Sequence, residues 1–319
     1  PPLRGTFVSE ALKSAGYATA GFFTFDFLDS LYGFGLGFDK WERVGADVFS
    51  DPRLRDELMA LRAAGDMGAI DEFLREHSAG IRSDRLTSPE TIDRAIQWLD
   101  EHEREHESQP FFLFVHLFDV HDPYKPPPEF DRFGDPSYDG PERGRLDPAK
   151  SETLHAGLSR SDIARRVSLY DGGIAFVDDQ VGRLLARLRA SGLDEDTLVI
   201  VTADHGEEFF EHGRQGHHRQ LYMESIHVPM LARWPKHFPA GRRVEGTVGL
   251  VDIVPTLLAA TGARTTTPLP GTDLAPFARG EQKNGGRMYV SLLNVFQPRG
   301  QGGDQAYKRI ESLVRGDEQ

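Results

Sequence analysis

Cysteine is absent from all 319 residues. That excludes disulfides, thiolate metal sites and a cysteine nucleophile within this stretch. No apolar run is long enough to span a bilayer. The chain opens Pro1-Pro2-Leu3-Arg4 without an initiator methionine, so the true N-terminus is expected upstream and the lack of a signal-peptide pattern in these residues excludes nothing. Positive charge is scarce: 37 Lys and Arg stand against 50 Asp and Glu, for a net charge of -13. Such a chain has no general electrostatic pull toward nucleic acid or an anionic membrane surface. An anionic substrate would need a local positive site, supplied by a metal or by clustered His and Lys. Internal repeats and low-complexity tracts are also missing.

What is present is ordinary globular composition, 39% hydrophobic and 27% charged, enough for one large α/β domain or two smaller ones. Residues 6–15 read as a helix capped by Thr6 and stopped at Gly16, and 17–23 as a short strand. Residues 45–85 are charged and weakly periodic, and read as helical excursions. Ser88-Pro89-Glu90 starts a helix that Ile92, Ala95, Ile96 and Leu99 continue at helical spacing. Phe111 to His116 is a continuous apolar run after Pro110, the pattern of a buried strand. Residues 122–150 are rich in Pro, Asp and Gly and read as a long loop. A long amphipathic helix over 161–190 leads to a buried strand over 197–202 (TLVIVT). A third apolar strand over 228–233, a helix over 251–260 ended by Gly262, and one more strand near 289–292 complete the pattern. Helices alternate with strands apolar on both faces, which predicts a mainly parallel sheet covered by helices on both sides.

In open α/β sheets, sites form at the carboxyl ends of strands. Two strands here end in ligand-type residues. TLVIVT runs into Ala203-Asp204-His205-Gly206-Glu207-Glu208. Carboxylate and imidazole side by side suit a divalent cation acting as a Lewis acid. The same residues also read as a helix start, with Asp204 as cap and the glutamates favoured by the helix dipole. The other cluster is His116, Asp119, His121 and Asp122, where a histidine could bind an anion or the polar groups could merely satisfy a loop. His212, His217 and His218 fall within seven residues; for His212 and His218 an exposed polar loop is the simpler account.

Taken in order, these segments resemble the sulfatase family of the alkaline phosphatase superfamily. GTFVSEALKSAG, YATAG and Gly37-Phe38-Asp39, then PFFLFVHLFDVHDPYKPP, YDGGIAFVDDQVGRLLARL, TLVIVTADHGEEFFEHG, QLYMESIHVPMLARWP and VDIVPTLLAATG carry the likeness, from about residue 5 to about residue 280. The resemblance implies an α/β, three-layer alkaline-phosphatase-like fold with a mainly parallel central sheet flanked by helices. It implies one hydrolase domain over 1–285, truncated at its N-terminus, and the start of a C-terminal segment over 286–319. Asp204 and His205 match a pair of metal ligands, although many sulfatases have Asn in place of His205. The Asp-His form is found more among phosphonate and phosphate ester hydrolases and in some sulfatases of the same superfamily, which leaves the ester type open. His121 matches the histidine that contacts the transferred anionic group. His217, twelve residues after His205, stands where relatives carry a Lys or His that meets the substrate and assists the leaving oxygen.

The implied activity is metal-dependent hydrolysis of sulfate esters, an anionic substrate class, with calcium as the first expectation and magnesium, manganese or zinc as others. Phosphodiester, phosphonate monoester or phosphoglycerol transfer chemistry is the alternative on the same fold, and a non-catalytic binding domain a third. The family's paired aspartates and its C/S-x-P-S/T-R nucleophile motif do not occur in the chain. Ser50-Asp51-Pro52-Arg53 lacks the Ser or Thr and shifts the Arg, and Asp178-Asp179 sits inside an amphipathic helix. The resemblance therefore implies a nucleophile lying upstream, an inactive fragment, and apolar surface left open where upstream strands would pack.

Overall fold

The computed structural model describes residues 6–25, 28–45, 52–64, 69, 73, 86–106, 108–144, 157–217, 220–282, 288–297 and 306–315. Its elements are α1 (Val8–Ser14), β1 (Ala18–Phe23), β2 (Lys40–Arg43), α2 (Pro52–Ala64), α3 (Ser88–Glu105), β3 (Phe111–Val115) and α4 (Arg160–Ala190). There follow β4 (Val199–Thr202), β5 (Glu208–Phe209), β6 (Gln215–Gly216), α5 (Met223–Ile226), β7 (Met230–Arg233), α6 (Ile253–Thr261), α7 (Ala275–Arg279), β8 (Met288–Gln297) and β9 (Ala306–Arg315). The expected α/β fold stands, with a parallel sheet in the order β2-β1-β3 and helices on both faces.

Strand β1 sits at the centre because its side chains serve both layers. Ala20 and Phe22 are fully buried and pack with Val44 and Ala95, against Trp98 of α3 and Leu184 of α4. On the opposite face α1 meets α6 through Ala11, Leu12, Leu258 and Ala263, with Phe112 of β3 between them. Gly21 leaves room for an indole: a Cβ there would lie 2.2 Å from Trp41 Cζ3. Trp41 fills that space, stacks on Phe23 with ring centroids 4.8 Å apart, and donates its Nε1–H to the Leu28 carbonyl at 2.9 Å.

Two features tie the long helices to the loop after β3. The N-terminus of α3 is capped from a distance: Asp119 accepts hydrogen bonds from Thr87 N–H at 3.0 Å, Ser88 N–H at 2.6 Å and the Thr87 hydroxyl at 3.1 Å. Helix α4 begins with a reciprocal cap between Ser159 and Asp162. It then lies against the 119–130 loop through Gly172 and Gly173. A Cβ on Gly172 would stand 2.7 Å from Pro126 Cγ.

Strand β4 departs from the expected parallel order. It pairs with β7 antiparallel, Val201 opposite Leu231 and Thr202 opposite Met230. The segment between them holds a hairpin and the single turn of α5. That is no crossover helix of the kind that returns a chain to the same end of a sheet. Among the described residues no ladder joins β4-β7 to β2-β1-β3. Apolar side chains are exposed where those sheets end: Phe114, Val201 and Leu231, the last at 63%.

Further departures are local. Thr6 does not cap α1; its hydroxyl meets Thr266, while Glu10 accepts the Phe7 N–H at 2.8 Å. Gly16 and Gly262 do end their helices at positive φ, +93° and +70°. Of 45–85, α2 is helical as expected, and most of the remainder lies outside the described residues, as do Ser50 and Asp51. The expected short strand near 289–292 is longer and pairs with β9 as a hairpin, Tyr289 opposite Val314. Among the described residues no helix is long and apolar enough to cross a membrane.

Candidate functional site

Strand β4, expected to be buried but half-buried at Val199 and Ile200 and exposed at Val201 and Thr202, delivers Asp204 and His205 onto a loop, not a helix. The helix-start reading of this segment is therefore corrected: the chain leaves β4, turns at Gly206 and enters the β5-β6 hairpin. Gly206 is required there, since a Cβ would fall 2.1 Å from the Glu224 carbonyl oxygen. The Asp204 side chain is 83% exposed, with Oδ1 3.8 Å from His205 Nε2. His205 Nδ1 lies 2.8 Å from the Gly206 carbonyl oxygen. A carbonyl only accepts, so Nδ1 carries the proton and neutral His205 has its lone pair on Nε2, the side facing Asp204. A backbone carbonyl fixing one ring nitrogen so that the other can ligate is the arrangement of metal-bound histidines. The pair thus fits half of a divalent-cation site. Among the described residues no group of three or more His, Cys, Asp or Glu converges to complete one.

The loop after β3 reaches the same rim. His121 places its ring 5.3 Å from that of His217, edge to face, and His217 stacks on His205 at 3.8 Å. Phe118 backs His121 at 4.4 Å, and Phe25 backs Phe118 at 4.7 Å. His121, Asp204, His205 and His217 are therefore brought together from two strand ends. His121 Nδ1 donates to the Asp122 carbonyl oxygen at 2.9 Å. Protonated on both nitrogens, the ring would offer Nε2–H as a second donor, the form that binds an anion.

His116, at the very end of β3, is half-buried, with Nδ1 3.2 Å from the Thr24 hydroxyl. Burial pushes its pKa down to about 4; the Asp204 carboxylate opposes that shift and His121 adds to it. Because the folded value lies below the ordinary 6.5, the unfolded chain takes up the proton first as pH falls. The stability contributed by neutral His116 is complete above pH 6.5 and is lost progressively down to about pH 4. Urea unfolding at pH 7 and pH 5 should show a fall that His116→Gln reduces by up to about 2 kcal/mol. Equal falls in both proteins would refute this.

Two residues that sequence reasoning passed over complete the cluster. Glu207, read above only as an acid favoured by a helix dipole, has a side chain just 5% exposed. Its Oε1 lies 3.1 Å from His217 Nδ1, and its Oε2 accepts the Tyr124 hydroxyl at 2.7 Å. Burial alone would raise its pKa, but the bond and charge of His217 and the Tyr124 hydroxyl outweigh burial and hold it below the ordinary carboxylate value. Tyr124 is 1% exposed, and burial beside Glu207 pushes its hydroxyl far upward. Asp119 is not a ligand candidate, being engaged as the α3 cap. His212 is exposed, stacked on Tyr222 at 3.6 Å, as the simple account had it. His218 lies outside the described residues.

Comparison with known proteins gives this geometry a family. The profile described as Sulfatase matches residues 2–263. Arylsulfatase K of Canis lupus familiaris is 30% identical over 209 residues, covering 58% of this chain and 38% of its own length. The chain thus spans about two fifths of the curated relatives it matches first. A protein solved with its substrate D-glucosamine-2-N,6-O-disulfate shares the fold, with a TM-score of 0.64 at 19% identity, over 97% of this chain and 71% of that one. A phosphonate monoester hydrolase of Agrobacterium radiobacter does so equally, with a TM-score of 0.64 at 24% identity, over 94% and 67%.

Proposed function

The chain belongs to the sulfatase family, and from that premise we propose that it forms the later part of a metal-dependent hydrolase of sulfate esters. The observation that carries this reading is the convergence of His121, Asp204, His205 and His217 from the ends of β3 and β4. Residues 1–285 would form its hydrolase domain, with 286–319 starting a further segment. The nucleophile and the remaining metal ligands would come from residues outside these 319.

Asp204 and His205 would hold the cation. When bound, it supplies Lewis-acid polarisation of the ester and offsets charge on the transferred group. The rest falls to side chains of this chain. His121, held by the Asp122 carbonyl and backed by Phe118, donates Nε2–H to an oxygen of the transferred group. Donors fixed in advance lower the barrier because they do not reorganise as charge develops. Protonated on both nitrogens, His217 donates its Nδ1–H to Glu207 and its Nε2–H to the leaving oxygen; the Nε2 proton passes to that oxygen as the S–O bond breaks, leaving neutral His217 with its proton on Nδ1.

Sulfate is favoured over phosphate by the likeness to arylsulfatase K, since the structural neighbours speak for the fold alone. The Asp204-His205 pair favours the second reading, a phosphonate or phosphate monoester hydrolase. Carboxylate suits calcium, magnesium or manganese, and imidazole suits zinc. A mixed pair selects manganese or zinc over calcium. The full-length protein, stripped by chelation and reloaded with each cation, should hydrolyse 4-nitrophenyl sulfate faster than phenylphosphonate monoesters, and best with manganese or zinc. Faster phosphonate turnover would replace this reading with the second. Calcium as the best activator would overturn the metal assignment.

A further inference from the structure

We propose that Glu207 is a positioning residue that selects the tautomer of His217, with Tyr124 as the anchor that keeps its carboxylate in place. This rests on the reading of His217 as the group that meets the leaving oxygen. The observation is a three-member chain with a defined direction. Tyr124 O–H donates to one oxygen of Glu207 at 2.7 Å, and the other oxygen lies 3.1 Å from His217 Nδ1. An ionised carboxylate only accepts, so His217 must carry its proton on Nδ1 whatever its charge. Nε2 is then the atom presented to the ester. The ring cannot easily swing away, because it is stacked on His205 at 3.8 Å and edged by His121 at 5.3 Å.

The anchor is as buried as the carboxylate. Tyr124 is 1% exposed, and its ring is packed by Tyr170 at 5.6 Å and Phe209 at 5.7 Å. Its backbone N–H bonds to the Gly144 carbonyl at 2.7 Å. The hydroxyl therefore has one productive direction, toward Glu207. A carboxylate satisfies both donors because it has two accepting oxygens. A glutamine has one oxygen and one NH2, so it can accept from Tyr124 or from His217 but not from both. With Tyr124 holding the amide oxygen, the NH2 faces His217 Nδ1 and favours a lone pair there, which leaves Nε2–H as the single proton of a neutral ring; a neutral imidazole gives up that proton far less readily than the imidazolium that a carboxylate at Nδ1 supports. Removing the tyrosine hydroxyl frees the amide oxygen to turn back to His217. Glu207→Gln should therefore be harmful alone and milder with Tyr124→Phe, a rescue that simple loss of packing would not produce.

The test uses the full-length protein with 15N-labelled histidine, in wild type, E207Q, Y124F and the double variant, each checked for cooperative melting. His217 signals are assigned with H217A, and hydrolysis is followed on 4-nitrophenyl sulfate and on phenyl sulfate, whose leaving oxygen needs a proton far more. Wild type should show His217 protonated at Nδ1, and E207Q a shift toward Nε2–H. In E207Q kcat on phenyl sulfate should fall roughly tenfold or more, part of the 10²–10⁴-fold that a placed acid contributes. On 4-nitrophenyl sulfate the fall should be under about twofold, because a good leaving group draws little on the acid. The double variant should recover both the tautomer and much of the phenyl sulfate rate. An unchanged His217 tautomer in E207Q, or equal losses on both esters without recovery, would overturn the proposal. Should E207Q not fold, Glu207→Asp, shorter by one methylene, draws the acceptor back from Nδ1: phenyl sulfate turnover should fall more than 4-nitrophenyl sulfate turnover, with no rescue by Y124F, and equal losses on both esters would overturn the proposal. If H217A leaves both rates untouched, the role assigned to His217 fails; the tautomer still decides whether Glu207 orients its ring.

Discussion

Asp204→Ala in the full-length protein is expected to lower kcat/KM for ester hydrolysis by about a thousandfold while leaving the fold intact. The size follows from the work given to a Lewis acid, several kcal/mol of transition-state stabilisation, where about 4 kcal/mol is a factor of a thousand. The Asp204 carboxylate is the oxygen ligand of the proposed pair, and its Oδ1 stands 3.8 Å from the lone-pair nitrogen of His205. Tolerance of the fold follows from exposure. The side chain is 83% exposed and accepts a local hydrogen bond from the His205 N–H at 3.0 Å. Removing such a group changes stability by about 0.5 kcal/mol or less. Thermal melts and steady-state kinetics on one preparation check both halves. Retained activity would remove Asp204 from the metal site, and a collapsed melt would make it a structural residue.

The parts of this site that were legible in the sequence are those where apolar runs end in chemistry. TLVIVT followed by Asp204-His205, and FFLFV followed by His116 and His121, announce strands whose carboxyl ends share a rim, and the two runs do become β4 and β3. The long helix α4 was equally legible, because Val177, Val181, Leu184 and Leu188 repeat at helical spacing over many turns. What stayed hidden depended on contacts far along the chain. Glu207 is a glutamate in an acidic run, and nothing local says that Tyr124, 83 positions away, will bury it. Asp119 resembled a ligand because its partners, Thr87 and Ser88, lie more than thirty residues earlier. Strand β2 is four residues of mixed polarity, Lys40–Arg43, and owes its pairing to the place Gly21 leaves for Trp41. Strand β9 carries charged residues between its apolar ones, and only its partner β8 makes it a strand.

The same long-range logic sets the largest expected effect on stability, at Arg166. This residue sits on the inner face of α4 with its side chain 5% exposed, paired with Glu142, itself 3% exposed, at 2.5 Å. Arg166 also donates to the side-chain carbonyl of Gln215 in β6, one residue before Gly216 and two before His217. Glu142 in turn accepts the Gly144 N–H at 2.5 Å, and Gly144 accepts the Tyr124 N–H at 2.7 Å. One buried cation thus holds both strands of chain that carry the Tyr124–Glu207–His217 series. Arg166→Met leaves the Glu142 carboxylate buried without its counter-charge, and removing one member of a buried pair costs about 3–5 kcal/mol. Replacing both, Arg166→Met with Glu142→Leu, removes the uncompensated charge and should restore much of that stability. It cannot restore the tether to Gln215. The double variant should therefore unfold near the wild-type denaturant concentration yet remain slower than wild type on phenyl sulfate, with KM little changed. Urea titrations on the three proteins, followed by kinetics on the two that fold best, separate these effects. A double variant as active as wild type would show that the hairpin places His217 without Arg166, and a single variant as stable as wild type would show that the pair is not buried in solution.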